Sequence, residues 1–257
     1  MTGEPHSHSF GAPAKVGILA GMGPAAGVDF ARLFLKASER WLQEHGLAVQ
    51  DQAFPEHWMA QVPVADRSRA LSDASAPQPL DEMARVLRQL SAVGARAVAI
   101  SCNTAHAWHA ALQERVPSVD LLHIARETAT ELQRRGIRQV ALLATQGTYG
   151  MGLYDTVMAH HGIECVIPEP SEREELMQGI YQGVKAGNLA LAQASFTCVG
   201  RQLRGRHGDG IALIMACTEI PLALPHAPEA EGWTLIDPSE ILAMALARKA
   251  YEGHAGH

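Results

Sequence analysis

The sequence predicts an α/β fold of two pseudo-symmetric lobes, each a mostly parallel sheet flanked by helices, with the functional site in the cleft between them. Three observations carry this expectation. Strand-length apolar runs alternate with amphipathic helical stretches, the pattern of parallel sheets crossed by helices. A run ending in cysteine occurs twice, as Ala97-Val98-Ala99-Ile100-Ser101-Cys102 and as Ile211-Ala212-Leu213-Ile214-Met215-Ala216-Cys217. A strand-then-loop pattern also recurs: the run 16–20 leads into Gly21-Met22-Gly23-Pro24, and the run 140–144 into Thr145-Gln146-Gly147-Thr148. Each half therefore holds a strand, a small-residue loop and a later strand that delivers a thiol to its carboxyl end, where ligands of open α/β sheets bind.

In chain order, residues 1–14 read as a tail and 16–20 as the first strand. The glycines of 21–24 let backbone N–H groups approach a ligand. A helix follows, with Phe30, Leu33, Phe34 and Trp41 near its period. A proline-containing extended stretch runs to Val64, Asp66-Arg67-Ser68-Arg69 interrupts it with charge, and 72–79 is loop-like. Met83, Val86, Leu87 and Leu90 share one face of a helix over 80–93 that Gly94 ends. The first thiol strand is next, then a helix from Cys102 to about Val116, a short strand over 120–124 and a helix over 125–135. In the second half, 140–144 is a strand, 153–161 a helix, 163–167 a strand, and 172–184 and 189–203 are helices. The second thiol strand precedes a loop over 221–228. Leu235-Ile236-Asp237-Pro238 leads into a final helix with Ser239 as its N-cap. The expected division is lobe one over 15–117 plus 235–257 and lobe two over 118–234.

The chain has 257 residues, is 47% apolar and carries a net charge of −6, enough for one large domain or two small ones. No basic block stands out, so neither nucleic acid nor an anionic membrane is an expected partner. No apolar run approaches the ~20 residues of a spanning helix, and the first residues lack the apolar core of a signal peptide. Four cysteines in such a chain suit a reduced, cytoplasmic protein. His6, His8, His254 and His257 read as solvated, and no metal site is expected.

Two thiols facing one carbon have a specific use. A thiolate at a helix N-terminus is stabilised by free N–H groups and the helix dipole. Cys102 stands immediately before Asn103-Thr104 and Cys217 before Thr218, which fits that placement. One sulfur can remove a proton while the other returns one to the opposite face, inverting a stereocentre. Each sulfur would approach the carbon to ~3–3.5 Å. The pair would then stand too far apart for a disulfide, whose bond is ~2.05 Å. Cys165 and Cys198 read instead as small apolar residues.

Five motifs together carry a family resemblance: Gly-Ile-Leu-Ala-Gly-Met-Gly-Pro (17–24), Cys-Asn-Thr-Ala-His (102–106), Leu-Leu-Ala-Thr-Gln-Gly-Thr (142–148), Gly-Val-Lys-Ala-Gly-Asn (183–188) and Cys-Thr-Glu-Ile-Pro (217–221). The chain resembles the aspartate/glutamate racemase family, the cofactor-independent amino-acid racemases, from about Lys15 to Lys249. The resemblance implies an interlobe active site, often in a homodimer, no cofactor, an amino-acid substrate, and Cys102 and Cys217 as the acid/base pair. It also implies that Arg67 and Lys185 hold a side-chain carboxylate. The family's Pro-Asp-Arg-Thr reads Ala65-Asp66-Arg67-Ser68 here. A guanidinium grips a carboxylate bidentately and an ammonium adds a point charge. Asn103, Thr104 and Thr218, with the backbone around Met22, Gly23, Pro24, Thr145, Gly147 and Thr148, are expected to hold the α-carboxylate and the charge growing on it. Glu219 is a candidate partner for the substrate ammonium, and His106 reads as a hydrogen-bonded core histidine.

Other readings are weaker. A dinucleotide site needs an acid after the second strand, and Asp51 is poorly placed. A pyridoxal phosphate enzyme needs a Schiff-base lysine among Lys15, Lys36, Lys185 and Lys249. A related isomerase or racemase with another substrate, or an amino-acid-binding module without catalysis, would keep the same cleft.

Overall fold

A computed structural model of the protein describes residues 12–252, so the four terminal histidines named above lie outside the described residues. Two four-stranded sheets, both wholly parallel, have the orders β2-β1-β3-β4 and β6-β5-β7-β8. The first holds β1 (Val16–Ala20), β2 (His57–Gln61), β3 (Ala97–Ile100) and β4 (Asp120–Leu121). The second holds β5 (Gln139–Ala144), β6 (Glu164–Val166), β7 (Ala212–Ala216) and β8 (Leu235–Ile236). The two orders are the same path walked twice, and the thiol strands β3 and β7 are both central.

Helices α1 (Pro24–Glu44), α3 (Leu80–Ala92) and α4 (His109–Arg115) flank the first sheet. Its alternating side chains serve two cores. Val16, Ile18 and Ala20 meet Phe30 and Phe34 of α1, while Leu19 joins Met83 and Leu87 of α3. Helices α7 (Leu153–His160), α8 (Pro170–Gln178) and α9 (Leu189–His207) pack in the second lobe. The remaining long helices cross over. After β4, α5 (Ile124–Arg134) sends Ala125, Ala129 and Leu132 into the second lobe's core. After β8, α10 (Pro238–Glu252) sends Leu242, Leu246 and Ala250 into the first lobe's core. Each lobe thus lends the other its last helix.

Two short strands depart from the expected boundaries. Strand β4 pairs with β3 although it lies after 117, and β8 pairs with β7 although it lies after 234. The 1–14 tail is also too long, because Ala14 is buried and donates its N–H to the Ala250 carbonyl at 2.7 Å. Other elements differ locally. The charged stretch at 66–69 opens a helix, α2 (Arg67–Ser72), because the Asp66 carboxylate caps it by accepting from the Arg69 N–H at 2.7 Å. The expected helix after Cys102 starts as a 3-10 turn, Thr104–Trp108, before α4. A short α6 (Gln146–Gly150) follows β5, capped by Thr145. The 172–184 helix becomes α8, a π turn over Gly179–Gly183 and a 3-10 turn over Val184–Ala186. The loop at 221–228 is a chain of 3-10 turns. Asp237, not Ser239, caps α10: its carboxylate accepts from the Ser239 N–H at 2.8 Å. Among the described residues, no helix is long and apolar enough to cross a membrane.

Candidate active site

Cys102 lies two residues beyond β3 and Cys217 immediately follows β7, so both sulfurs stand at the carboxyl ends of central strands. The backbone turns sharply at the first, where the Cys102 N–H bonds the Ile100 carbonyl at 2.8 Å. Both cysteines are buried, both are free thiols, and both line one narrow cleft between the lobes. Met22, Arg67, Asn103, Thr104, Thr145, Lys185, Thr218 and Glu219 line it too. Pro24, Gly23, Gly147 and Thr148 do not. Pro24 is the exposed first residue of α1 and its carbonyl is held by Gln61 Nε2 at 2.9 Å. The other three stand behind the wall. A Cβ on Gly23 would lie 2.9 Å from Glu219 Oε1, and one on Gly147 would lie 2.9 Å from Thr104 Cγ2.

The wall is built from both lobes. The hydroxyls of Thr104, Thr145 and Thr148 form a triangle with sides of 3.0, 3.1 and 3.2 Å. Asn103 accepts from the Tyr154 hydroxyl at 2.5 Å. At the mouth, Tyr181 of the π turn donates to Asp66 at 3.4 Å. Asp66, Ser68 and Tyr181 line the cleft without having been expected there. Tyr181 stands four residues before Lys185, and that spacing was the one available hint. The loop glycines also have a second task. Gly21 has φ +99°, and a Cβ there would strike the Val62 backbone at 2.4 Å.

The two sulfurs have different neighbours. Cys217 Sγ donates to Glu219 Oε2 at 3.0 Å, and the other oxygen of Glu219 pairs with Lys185 Nζ at 2.9 Å. Burial, reinforced by the Glu219 charge, pushes the Cys217 thiol well above the usual range. The expected helix-end thiolate is therefore not found at Cys217. The turn after it is only the 3-10 segment Ile220–Leu222, too short for much dipole. Burial alone would lower the proton affinity of Lys185, but Glu219 outweighs it and raises it. Around Cys102 the partner is a cation. Arg67 donates to the Met22 carbonyl at 2.7 Å and to the Ala65 carbonyl at 3.2 Å, and its buried Nε has no partner. Burial pulls the Arg67 guanidinium down, yet the charges of Cys102 and Asp66 leave it raised.

His106 accepts no role at the sulfur. Its Nδ1 meets the Cys102 carbonyl at 2.9 Å, and burial holds the ring at a pKa of about 4. Among the described residues, no group of three or more His, Cys, Asp or Glu is placed to hold a metal ion.

Comparisons with known proteins bear on the family and the fold. The family model described as Asp/Glu/Hydantoin racemase matches residues 19–246. The broad specificity amino-acid racemase RacX of Bacillus subtilis is 27% identical, over 82% of this chain and 88% of that protein. The aspartate racemase of Picrophilus torridus superposes with a TM-score of 0.76 at 27% identity, over 92% of this chain and 94% of that one. A glutamate racemase of Francisella tularensis, at 18% identity and a TM-score of 0.61, shares the fold over 94% of this chain and 82% of that one.

Proposed function

The chain belongs to the Asp/Glu/Hydantoin racemase family, and we propose that it is a cofactor-independent amino-acid racemase, acting on aspartate or glutamate through Cys102 and Cys217. The observation that carries this reading is that two thiols, each reached from a different lobe, line the same buried cleft.

In this mechanism the α-carbon lies between the sulfurs. The thiolate form of one cysteine takes the α-proton: the C–H bond breaks, an S–H bond forms, and the electron pair spreads into the carboxylate as an enediolate. The donors at Asn103 and the threonine triangle stabilise that growing charge. The opposite thiol delivers its proton to the other face and becomes the thiolate. One proton has been taken and one given, so the stereocentre inverts and the pair ends with its roles exchanged.

The resting neighbours give the pair a polarity. Cys217, hydrogen-bonded to the Glu219 carboxylate, is held as the thiol, whereas Cys102 has the Arg67 cation as its neighbour. Arg67 supports an acidic substrate. Lys185 supports it less than its charge suggests, since Glu219 already pairs with it. A neutral side chain is accordingly the second reading, in keeping with the similarity to a racemase named for broad specificity.

The test is loss of the α-proton signal in D₂O for L-aspartate, L-glutamate and neutral amino acids. Exchange with inversion is expected for the acidic pair. Exchange of neutral substrates alone would select the second reading. Binding without exchange would make the protein a non-catalytic module. Cys102→Ala and Cys217→Ala should each abolish racemisation in both directions, and substantial turnover by either would remove the two-base assignment.

A further inference from the structure

Tyr154 lies on α7 in the second lobe, is fully buried and does not line the cleft. Its hydroxyl nevertheless reaches across the lobe boundary and donates to Asn103 Oδ1 at 2.5 Å. Asn103 is 2% exposed, lines the cleft and directly follows Cys102. Its other branch, Nδ2, is buried without a hydrogen-bond partner.

These facts fit together through the chemistry of an amide. The two ends of an Asn side chain have nearly the same shape, and only the hydrogen bonds around them decide which end faces where. A phenol that donates its proton selects the oxygen, so the NH₂ is left for whatever enters the cleft. Flipping the amide would put an oxygen there, and an oxygen repels a carboxylate. A buried donor with no acceptor is costly to leave unmade, and an arriving carboxylate relieves that cost.

We propose that Tyr154 is a positioning residue: by holding Asn103 Oδ1 it presents the Asn103 NH₂ to the carboxylate of the bound amino acid. The proposal rests on the cleft being an amino-acid site, as argued above. Thr128 also neighbours the Tyr154 hydroxyl; Tyr154 would act on the substrate through Asn103 and would not touch it.

Tyr154→Phe removes one oxygen and keeps the buried ring. Equilibrium binding of L-aspartate and L-glutamate, measured by calorimetry, should weaken roughly tenfold, the scale of a hydrogen bond to a charged group. KM should rise by a similar factor, more than kcat falls. In an Asn103→Ala background the same substitution should change affinity less than about twofold, because the group it orients is gone. A tenfold loss in both backgrounds would make Tyr154 a general packing residue and overturn the proposal. Wild-type affinity in Tyr154→Phe would overturn it as well. Should Tyr154→Phe fail to fold, Asn103→Asp keeps an acceptor for the phenol but lacks the NH₂, and unchanged affinity in that variant overturns the proposal. A wild-type protein that binds no amino acid removes the reading of the cleft itself, an outcome distinct from any of these.

Discussion

Glu219 is the residue on which the asymmetry of the cleft turns. One of its oxygens accepts from the Cys217 thiol and the other pairs with Lys185. Replacing it with glutamine leaves the shape but removes the charge that opposes thiolate formation and balances the ammonium. The hydrogen bond that holds the Cys217 thiol in place weakens with it. We expect kcat for racemisation to fall at least ~10²-fold, the lower end for a positioned acid/base group. Steady-state kinetics in both directions checks this, and an unchanged kcat would leave Glu219 with ion pairing alone. Arg67 makes a different prediction. Arg67→Ala should weaken acidic substrates more than alanine or serine, read as kcat/KM for each. Equal losses would mean that the guanidinium supports the Met22 loop and does not read the side chain. The cysteine pair and Arg67 were legible because each sits in a local pattern: a strand end, or a charged break in an apolar stretch. Asp66, Ser68, Tyr181 and Tyr154 were not, because a tyrosine on a helix looks the same whether its hydroxyl meets water or another lobe.

At the scale of elements, the loops after β1 and β5 do more than approach a ligand. Gly147 of α6 touches lobe one, and an added methyl would lie 2.9 Å from Thr104 Cγ2 and 3.0 Å from Ser68 Oγ. Its backbone is otherwise free to carry a side chain. Gly147→Ala should therefore push the lobes apart at the threonine triangle, lowering kcat/KM about tenfold or more with little change in melting temperature. A melting temperature that collapses along with activity would place Gly147 in the folding core instead. The π turn at Gly179–Gly183 is explained by close packing on α9. A Cβ on Gly179 would lie 2.5 Å from Phe196 Cε1, and one on Gly183 would lie 2.8 Å from the Ala192 Cβ. The extra residue in that turn carries Tyr181 to the cleft. Apolar periodicity read this region as plain helix, since one inserted residue barely disturbs the pattern of burial.

For the molecule as a whole, the exchange of α5 and α10 ties each lobe's core to the other's chain, so the lobes are expected to unfold together. Its stability should depend on pH through groups away from the cleft. His106, His109 and His123 form a cluster with ring centres 4.7 to 6.0 Å apart. Burial, aided by neighbouring histidines, holds His106 at about 4 and His123 at about 3, against 6.5 for a free imidazole. Well inside the window from pH 4 to 6.5 these two rings stay neutral in the folded chain but take up protons on unfolding, and burial lowers His109 in the same direction. Asp237 works in the opposite sense. Burial raises it to about 7 from 3.8, so the folded chain keeps one proton that the unfolded one releases. More protons remain on the unfolded side, and stability should rise with pH across that window. Urea unfolding at several pH values between 4.5 and 6.5 measures it. His123→Asn should flatten the rise and Asp237→Asn should steepen it; a stability that falls with pH would contradict both assignments.

By itself, the sequence determined that strands and helices alternate, that the pattern runs through twice, and that two thiols end two strands. Burial periodicity and strand length are properties of neighbouring residues, and they are written locally. Only the tertiary structure decided that β4 and β8 pair with the thiol strands before them, so that the chain changes lobe after each of these strands and not ahead of it. It alone set Glu219 between Cys217 and Lys185, and gave Asn103 a partner from the other lobe. Those contacts join residues far apart in the chain, and they exist only because two sheets meet at one angle and distance.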